Sequence, residues 1–176
     1  YQPYDAVIQA GYGEHGREGL QELLEVPVVD ITEAAASLAM LLGHKYSVVT
    51  TLDRAVPLIE DRLKLAGVFE RCASVRASGM SVLELEEMPD RALEAIAGQA
   101  VEAVKHDKAE VICLGCGGMA GLDQLIRDRA GVPVVDGVTA AVALAESLVR
   151  LGLKTSKVRT YATPRPKKVI GWPFSL

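Results

Sequence analysis

"VPVVDITEAAASLAMLLG" (residues 26–43) returns as "VPVVDGVTAAVALAESLVRLG" (132–152), and each copy follows a short apolar run and a glycine-rich turn at similar distance. Sliding one half along the other lays "AGYGEHG" (10–16) over "GCGGMAG" (115–121), pairing Gly16 with Gly121 and Gly11 with Cys116; the proline segments need one residue of slippage. The chain therefore reads as an internal duplication. Two related halves that face one another bring two strand-end turns to one cleft, which is where α/β sheets place their ligands. The cysteine of one turn has a mirror position in the other, and that position is glycine.

The segments around the repeats agree with this. "DAVIQA" (5–10), "VPVVD" (26–30), "YSVVTT" (46–51), "ASVRA" (73–77), "EVICLG" (110–115) and "VPVVDG" (132–137) are short, mostly β-branched runs bounded by turns, the pattern of buried parallel strands. Leu93, Ile96, Ala97, Ala100, Val101 and Val104 recur at three- and four-residue intervals and predict a helix with one face on a sheet. A second helix is expected from Asp53 as N-cap, past Pro57 in its first turn, to Gly67 at its end. Alternating strands and helices give an α/β class with a parallel sheet.

The 176 residues are 49% hydrophobic and 24% charged, a globular balance whose length suits one large domain or two small lobes sharing a core. A net charge of −4 and a pI near 5.4 argue against a nucleic-acid surface. No run of about 18 or more apolar residues exists to span a bilayer. Cys72, Cys113 and Cys116 are too sparse for a disulfide framework, which fits a reducing compartment and a cytoplasmic protein. There is no initiator Met and no signal-peptide pattern, so a cut or missing N-terminus is expected. The "PRPKK" tail (164–168) reads as a solvated end.

Several stretches carry candidate chemistry. Cys113 and Cys116 form C-x-x-C, but Cys113 lies inside an apolar run and no second pair supplies metal ligands, so Cys113 and Cys72 read as core residues and no metal site is expected. "GYGEHG" (11–16) matches G-x-G-x-x-G, with Asp30 ending the next strand; the short spacing to Val26 and the unlike glycine pattern of the mirror turn argue against a dinucleotide. Cys116 stands apart, because the N–H groups of Gly117, Gly118 and Met119 are expected to point back at its sulfur as the next helix begins, stabilising thiolate. Such a thiol can take a proton from carbon, and the same N–H groups can support the enolate that forms. The alternative is an inert cysteine beside a tight turn. Thr50 and Thr51 end the third strand and serve either a carbonyl or carboxylate ligand or ordinary capping, with Asp53 and Arg54 behind them. Glu14 and His15, in the turn opposite Cys116, are candidates for proton transfer or solvated loop residues, while His44 and His106 read as surface residues.

Together "EVICLGCGGMAGL", "GVPVVDGVTAAVALAESLV", "LGLKTSK" and "YSVVTT" resemble the hydantoin and allantoin racemases of the aspartate/glutamate racemase superfamily, over about Asp5 to Tyr161. The resemblance implies α/β lobes related by a pseudo-twofold axis, with parallel sheets flanked by helices, an active site between them and no cofactor. Residues 1–43 with 138–176 are expected to form the first lobe and 44–137 the second. In the family one cysteine on each lobe flanks the substrate's stereocentre. Cys116 matches the second; onto the first, a turn of the form C-F-G-D-P-G, this chain places Gly11, Tyr12, Gly13, Glu14, His15 and Gly16. The thiol is absent there and proline has become histidine. The family also begins with one or two further strand-helix units, which here are missing ahead of Tyr1.

These readings converge on a cofactor-independent racemase of hydantoin- or ureide-type small molecules. Cys116 is the acid/base, Gly11 the position of the missing cysteine, His15 and Glu14 the candidates for the other face, and Tyr12, Thr50, Thr51, Gly115, Gly117 and Gly118 the expected substrate contacts. A homo-oligomer is expected, without nucleic-acid or membrane partners. The rivals are a single-cysteine decarboxylase or cis-trans isomerase of the same superfamily, and a non-catalytic ligand-binding relative.

Overall fold

The structure, a computed structural model, describes residues 3–166 and residue 171. In chain order it runs β1 (Val7–Gln9), α1 (Arg17–Leu23), β2 (Val28–Asp30), α2 (Ile31–Leu42), β3 (Tyr46–Thr50), α3 (Val56–Leu65), β4 (Cys72–Ala77), α4 (Val82–Glu87), α5 (Pro89–His106), β5 (Val111–Leu114), α6 (Asp123–Ala130), β6 (Val134–Asp136) and α7 (Gly137–Arg150). Every strand pairing is parallel: β1 pairs with β2 in one sheet, and a second sheet has the order β4-β3-β5-β6. Strands β3 and β5 are buried along their whole length, as their unbroken apolar runs require, while edge strand β4 is half-buried throughout.

The two repeats pack on each other. Each begins with an Asp that caps its helix: Asp30 Oδ1 accepts from the N–H groups of Thr32 and Glu33 at 2.9 and 2.8 Å, and Asp136 Oδ1 accepts from Val138 N–H at 3.0 Å. A cap of this kind satisfies N–H groups the helix cannot, and is worth about 1 kcal/mol. Helices α2 and α7 then cross so closely that a Cβ on Gly137 would lie 2.7 Å from the Ile31 carbonyl oxygen. That contact explains why one copy reads Asp-Ile and the other Asp-Gly. Beyond the crossing, α2 covers β3 and β5 of the larger sheet and α7 covers β1 and β2 of the smaller. A first core cluster fills this middle layer with Ile31, Ala35, Ala39, Val48 and Ala141; a second, under α5 and α6, holds Ile96, Ala100, Ile112, Leu114 and Ile126. The mirrored turns also share a feature: Gly16 and Gly121 both adopt left-handed backbone, φ 81° and 85°, a conformation open to glycine at little cost.

The helix expected around residues 93–104 is α5, and Ile96, Ala97 and Ala100 of its predicted face are buried. One boundary differs from expectation. Asp53 caps nothing: Asp53–Ala55 form a 3-10 turn, and α3 starts behind Ala55 with no capping side chain. Pro57, at the start of α3, has no N–H to be capped. The "LGLKTSK" segment fastens the chain back onto the smaller sheet, with Thr155 N–H donating to Glu25 O at 2.9 Å and the Lys157 ammonium donating to the Gln21 and Glu22 carbonyls at 2.6 and 3.0 Å. A cation there meets the orphan carbonyls at the C-terminal end of α1. Of the "PRPKK" tail, Lys167 and Lys168 lie outside the described residues. Among the described residues no helix is long and apolar enough to cross a membrane.

Candidate active site

Cys116 leaves β5 in extended backbone, φ −159° and ψ 138°, and half-buried; Gly117–Met119 then make a 3-10 turn before α6 begins at Asp123. The expected arrangement of three N–H groups around the sulfur does not occur. The 3-10 turn closes on the main chain instead, Met119 N–H donating to Cys116 O at 3.0 Å, and no N–H caps the thiol. Gly117 and Gly118, at the head of that turn, have N–H groups that no group among the described residues accepts, so they stay available beside the thiol. Helix α4 backs the turn: a Cβ on Gly118 would find Leu85 Cδ1 at 3.5 Å, Cys116 Sγ at 3.7 Å and Val82 Cγ1 at 3.9 Å. Ser81 starts α4 with a reciprocal capping box to Glu84, a Ser-x-x-Glu signal legible in the sequence.

The mirror turn lies directly opposite. A Cβ on Gly117 would sit 3.3 Å from Ala10 O, so the strand ends of β1 and β5 meet where the duplication predicts. At Gly11 the space for a side chain is already taken: a Cβ there would stand 2.4 Å from His15 Cδ2 and 2.7 Å from the end of the Gln9 side-chain amide. Gln9 clasps the Gly11 peptide, its amide oxygen accepting from Gly11 N–H at 3.1 Å and its amide NH2 donating to Gly11 O at 3.3 Å. The His15 ring is exposed and curls back over the turn, Nε2 lying 3.3 Å from Tyr12 O.

Thr50 and Gly115 form the floor. Thr50 Oγ1 donates to Gly115 O at 2.9 Å, so this hydroxyl pins the turn that carries Cys116 and does not serve as a helix cap. Gly115 fits only because it lacks a side chain: an added Cβ would lie 2.6 Å from Val48 Cγ1 and 3.0 Å from Val49 O. Thr51 is buried next door, its carbonyl accepting from Gly79 N–H at 2.8 Å.

Two expected site residues point elsewhere. The Tyr12 ring is packed in the core, its hydroxyl buried without a hydrogen-bond partner, and burial pushes its phenol well above the ordinary range. Both Glu14 oxygens are engaged: Oε1 accepts from Gly16 N–H and Oε2 from Arg62 Nη1, each at 3.0 Å. Arg62, on α3 and fully buried, also donates to Glu18 Oε1 at 2.7 Å and lies 3.8 Å from Asp30 Oδ2; Arg17 Nε lies 3.6 Å from the same Asp30 oxygen. This network ties the 10–16 turn to α2 and α3, and sequence reasoning missed it. Its one signal was Arg62 on the helix face that buries Ile59 and Leu63. Asp30, enclosed as cap and ion-pair partner, presents no carboxylate to a ribose, which removes the structural basis for a dinucleotide reading.

The thiols separate clearly. Cys113 is wholly buried in β5, and burial pushes its thiol far above the usual range; burial likewise pushes Cys72 up to about 12. Cys116 is half-buried at the end of β5 that leads into the Gly117–Met119 turn. Among the described residues no group of three His, Cys, Asp or Glu is placed to hold a metal ion.

Comparison with known proteins places this arrangement. Residues 1–145 match the family described as Asp/Glu/Hydantoin racemase. The chain is 44% identical over 170 residues to a hydantoin racemase of Rhizobium meliloti, across 97% of this chain and 70% of that protein. It superimposes on a solved allantoin racemase from Pseudomonas fluorescens with a TM-score of 0.95 at 82% identity, covering 97% of this chain and 73% of that one. A glutamate racemase from Bacillus anthracis is similar in fold, with a TM-score of 0.59 at 20% identity over 86% of this chain and 60% of that one.

Proposed function

This chain belongs to the Asp/Glu/hydantoin racemase family and is thereby an isomerase, and from that premise we propose that it racemises 5-substituted hydantoins or related ureides, allantoin among them. Residues 1–43 with 138–176 make one lobe and 44–137 the other, with the substrate between them. The observation that carries this reading is the position of Cys116, half-buried at the head of a glycine turn whose Gly117 touches Ala10 of the duplicated turn.

The chemistry follows from the substrate as much as from the protein. A proton on the carbon beside a ring carbonyl is acidic because the electron pair it leaves moves into the carbonyl, forming an enolate. Cys116, as thiolate, takes that proton and becomes the thiol. The N–H groups of Gly117 and Gly118 are offered to the oxyanion, a type of stabilisation worth about 2.7–4 kcal/mol per donor in enzymes where it has been measured. Reprotonation on the opposite face inverts the centre. The carbonyl itself accepts the electron pair, so no cofactor is called on. A homo-oligomer, as the family resemblance implies, in the cytoplasm, as the sparse cysteines suggest, completes the proposal.

The test is exchange of the substrate α-hydrogen in deuterium oxide. Cys116→Ser is expected to lose exchange and inversion by about 100-fold or more, the usual contribution of a positioned acid/base. A variant that exchanges as fast as the parent removes Cys116 from the chemistry.

A further inference from the structure

Inverting a stereocentre needs a proton taken from one face and a proton given to the other, and the duplication assigns Cys116 to only one of them. Its mirror, Gly11, has no side chain. The structure fills that place with another residue's ring: the Cβ that Gly11 lacks would stand 2.4 Å from His15 Cδ2 and 3.1 Å from His15 Cγ. We infer that His15 is the second acid/base of this site, its imidazole standing where the mirror-related thiol would stand and serving the face of the substrate opposite Cys116.

Three observations support the assignment over its neighbours. Glu14, the other titratable residue of the turn, has both oxygens engaged by Gly16 N–H and Arg62. Tyr12 has its hydroxyl buried in the core. The His15 ring is exposed, and among the described residues its one hydrogen-bond contact uses Nε2, at 3.3 Å from Tyr12 O. With the Nε2 proton directed at that carbonyl, Nδ1 is left free to take and give the proton in transfer. Histidine suits both halves of such an exchange at neutral pH. The ring also lies over Gly13, where an added Cβ would stand 3.6 Å from His15 Nε2.

The proton balance is simple. In one direction the Cys116 thiolate takes the α-proton, the C–H electron pair becomes the enolate, and the His15 imidazolium delivers its Nδ1 proton to the other face. The site is left as thiol and neutral imidazole, the form that runs the reaction in reverse on the opposite enantiomer. No oxidant, reductant or further reactant enters.

This inference rests on the proposed racemase activity, and the experiment separates the two. Both enantiomers of a 5-substituted hydantoin are incubated in deuterium oxide with the intact protein and with its His15→Ala and Gly11→Cys/His15→Ala variants, following inversion by polarimetry and exchange by NMR. His15→Ala is expected to slow inversion by about 100-fold or more while one enantiomer, the one that presents its hydrogen to Cys116, still exchanges with retention. Removing the ring takes away the nearer of the two groups that crowd Gly11, leaving the end of the flexible Gln9 side chain to shift, so the double variant is expected to regain inversion through the new thiol. If His15→Ala inverts within about threefold of the parent, or loses exchange of both enantiomers alike, His15 is not the second acid/base. If the parent neither inverts nor exchanges the substrate, the racemase reading fails and takes this inference with it.

Discussion

Replacing Arg62 by leucine tests whether the buried charge network holds the 10–16 turn in place. The guanidinium is 1% exposed and reaches four carboxylates: Glu14 at 3.0 Å, Glu18 at 2.7 Å, Glu33 at 3.7 Å and Asp30 at 3.8 Å. Burial opposes ionisation of Glu18, but the bonds and charge of Arg62 and Arg17 outweigh it and hold that carboxyl below its usual range. Asp30 is wholly buried, so without Arg62 its Oδ2 keeps only Arg17 Nε, at 3.6 Å. Breaking a buried pair by removing one partner costs about 3–5 kcal/mol, because the other charge stays behind without compensation. For a chain of this size each kcal/mol lowers Tm by roughly 2–4 °C, so Arg62→Leu should melt some ~6–20 °C below the parent. The assay is urea and thermal unfolding of Arg62→Leu, Asp30→Asn and the double variant. Asp30→Asn removes the charge while leaving an oxygen to accept from Thr32 and Glu33 N–H. The double variant should then lose less than the sum of the singles, with a coupling of about 0.5–3 kcal/mol. A loss below about 1 kcal/mol for Arg62→Leu would refute the reasoning, since that is the range of solvated surface pairs.

Gly115→Ala should destabilise the protein by about 1–3 kcal/mol and lower activity beyond what lost stability explains, because the added methyl meets Val48 Cγ1 at 2.6 Å and can be accommodated only by moving the turn that carries Cys116. Unfolding in urea set beside turnover per folded molecule measures both effects, and a stable, fully active variant contradicts the packing. Iodoacetamide at neutral pH should label Cys116 first: Cys113 is wholly buried with its thiol raised far above the usual range, and Cys72 is pushed up to about 12 by burial. Peptide mapping that finds Cys72 or Cys113 modified ahead of Cys116 reverses the order.

Much of the architecture was legible because its signals are local. The six strands and the helix over α5 follow from apolar runs and three-to-four-residue spacing, which depend on near neighbours along the chain. The expected N-cap at Asp53 failed for a local reason as well, because a 3-10 turn over Asp53–Ala55 gives the Ala55 N–H to Leu52 O at 2.9 Å and delays α3 to Val56. At the site, Cys116 and the facing turn at Gly11 were legible through the duplication. The fates of Tyr12 and Glu14 were not, since one is decided by the core and the other by Arg62, whose position along the chain is remote from both.

By itself, then, the sequence determined the α/β alternation, the pairing of two repeats and the single thiol at one of two mirrored strand ends, because periodicity and repetition are properties of the chain alone. Tertiary structure decided what stands around that thiol. Gly137 is glycine because Ile31 crosses it, Gly115 because Val48 lies against it, and the space at Gly11 belongs to His15 because the turn curls back on itself. Each is a contact that steric exclusion or ion pairing selects only once the segments have been brought together: the order of residues offered both Glu14 and His15 opposite Cys116, and the packing engages the one with Arg62 and leaves the other exposed.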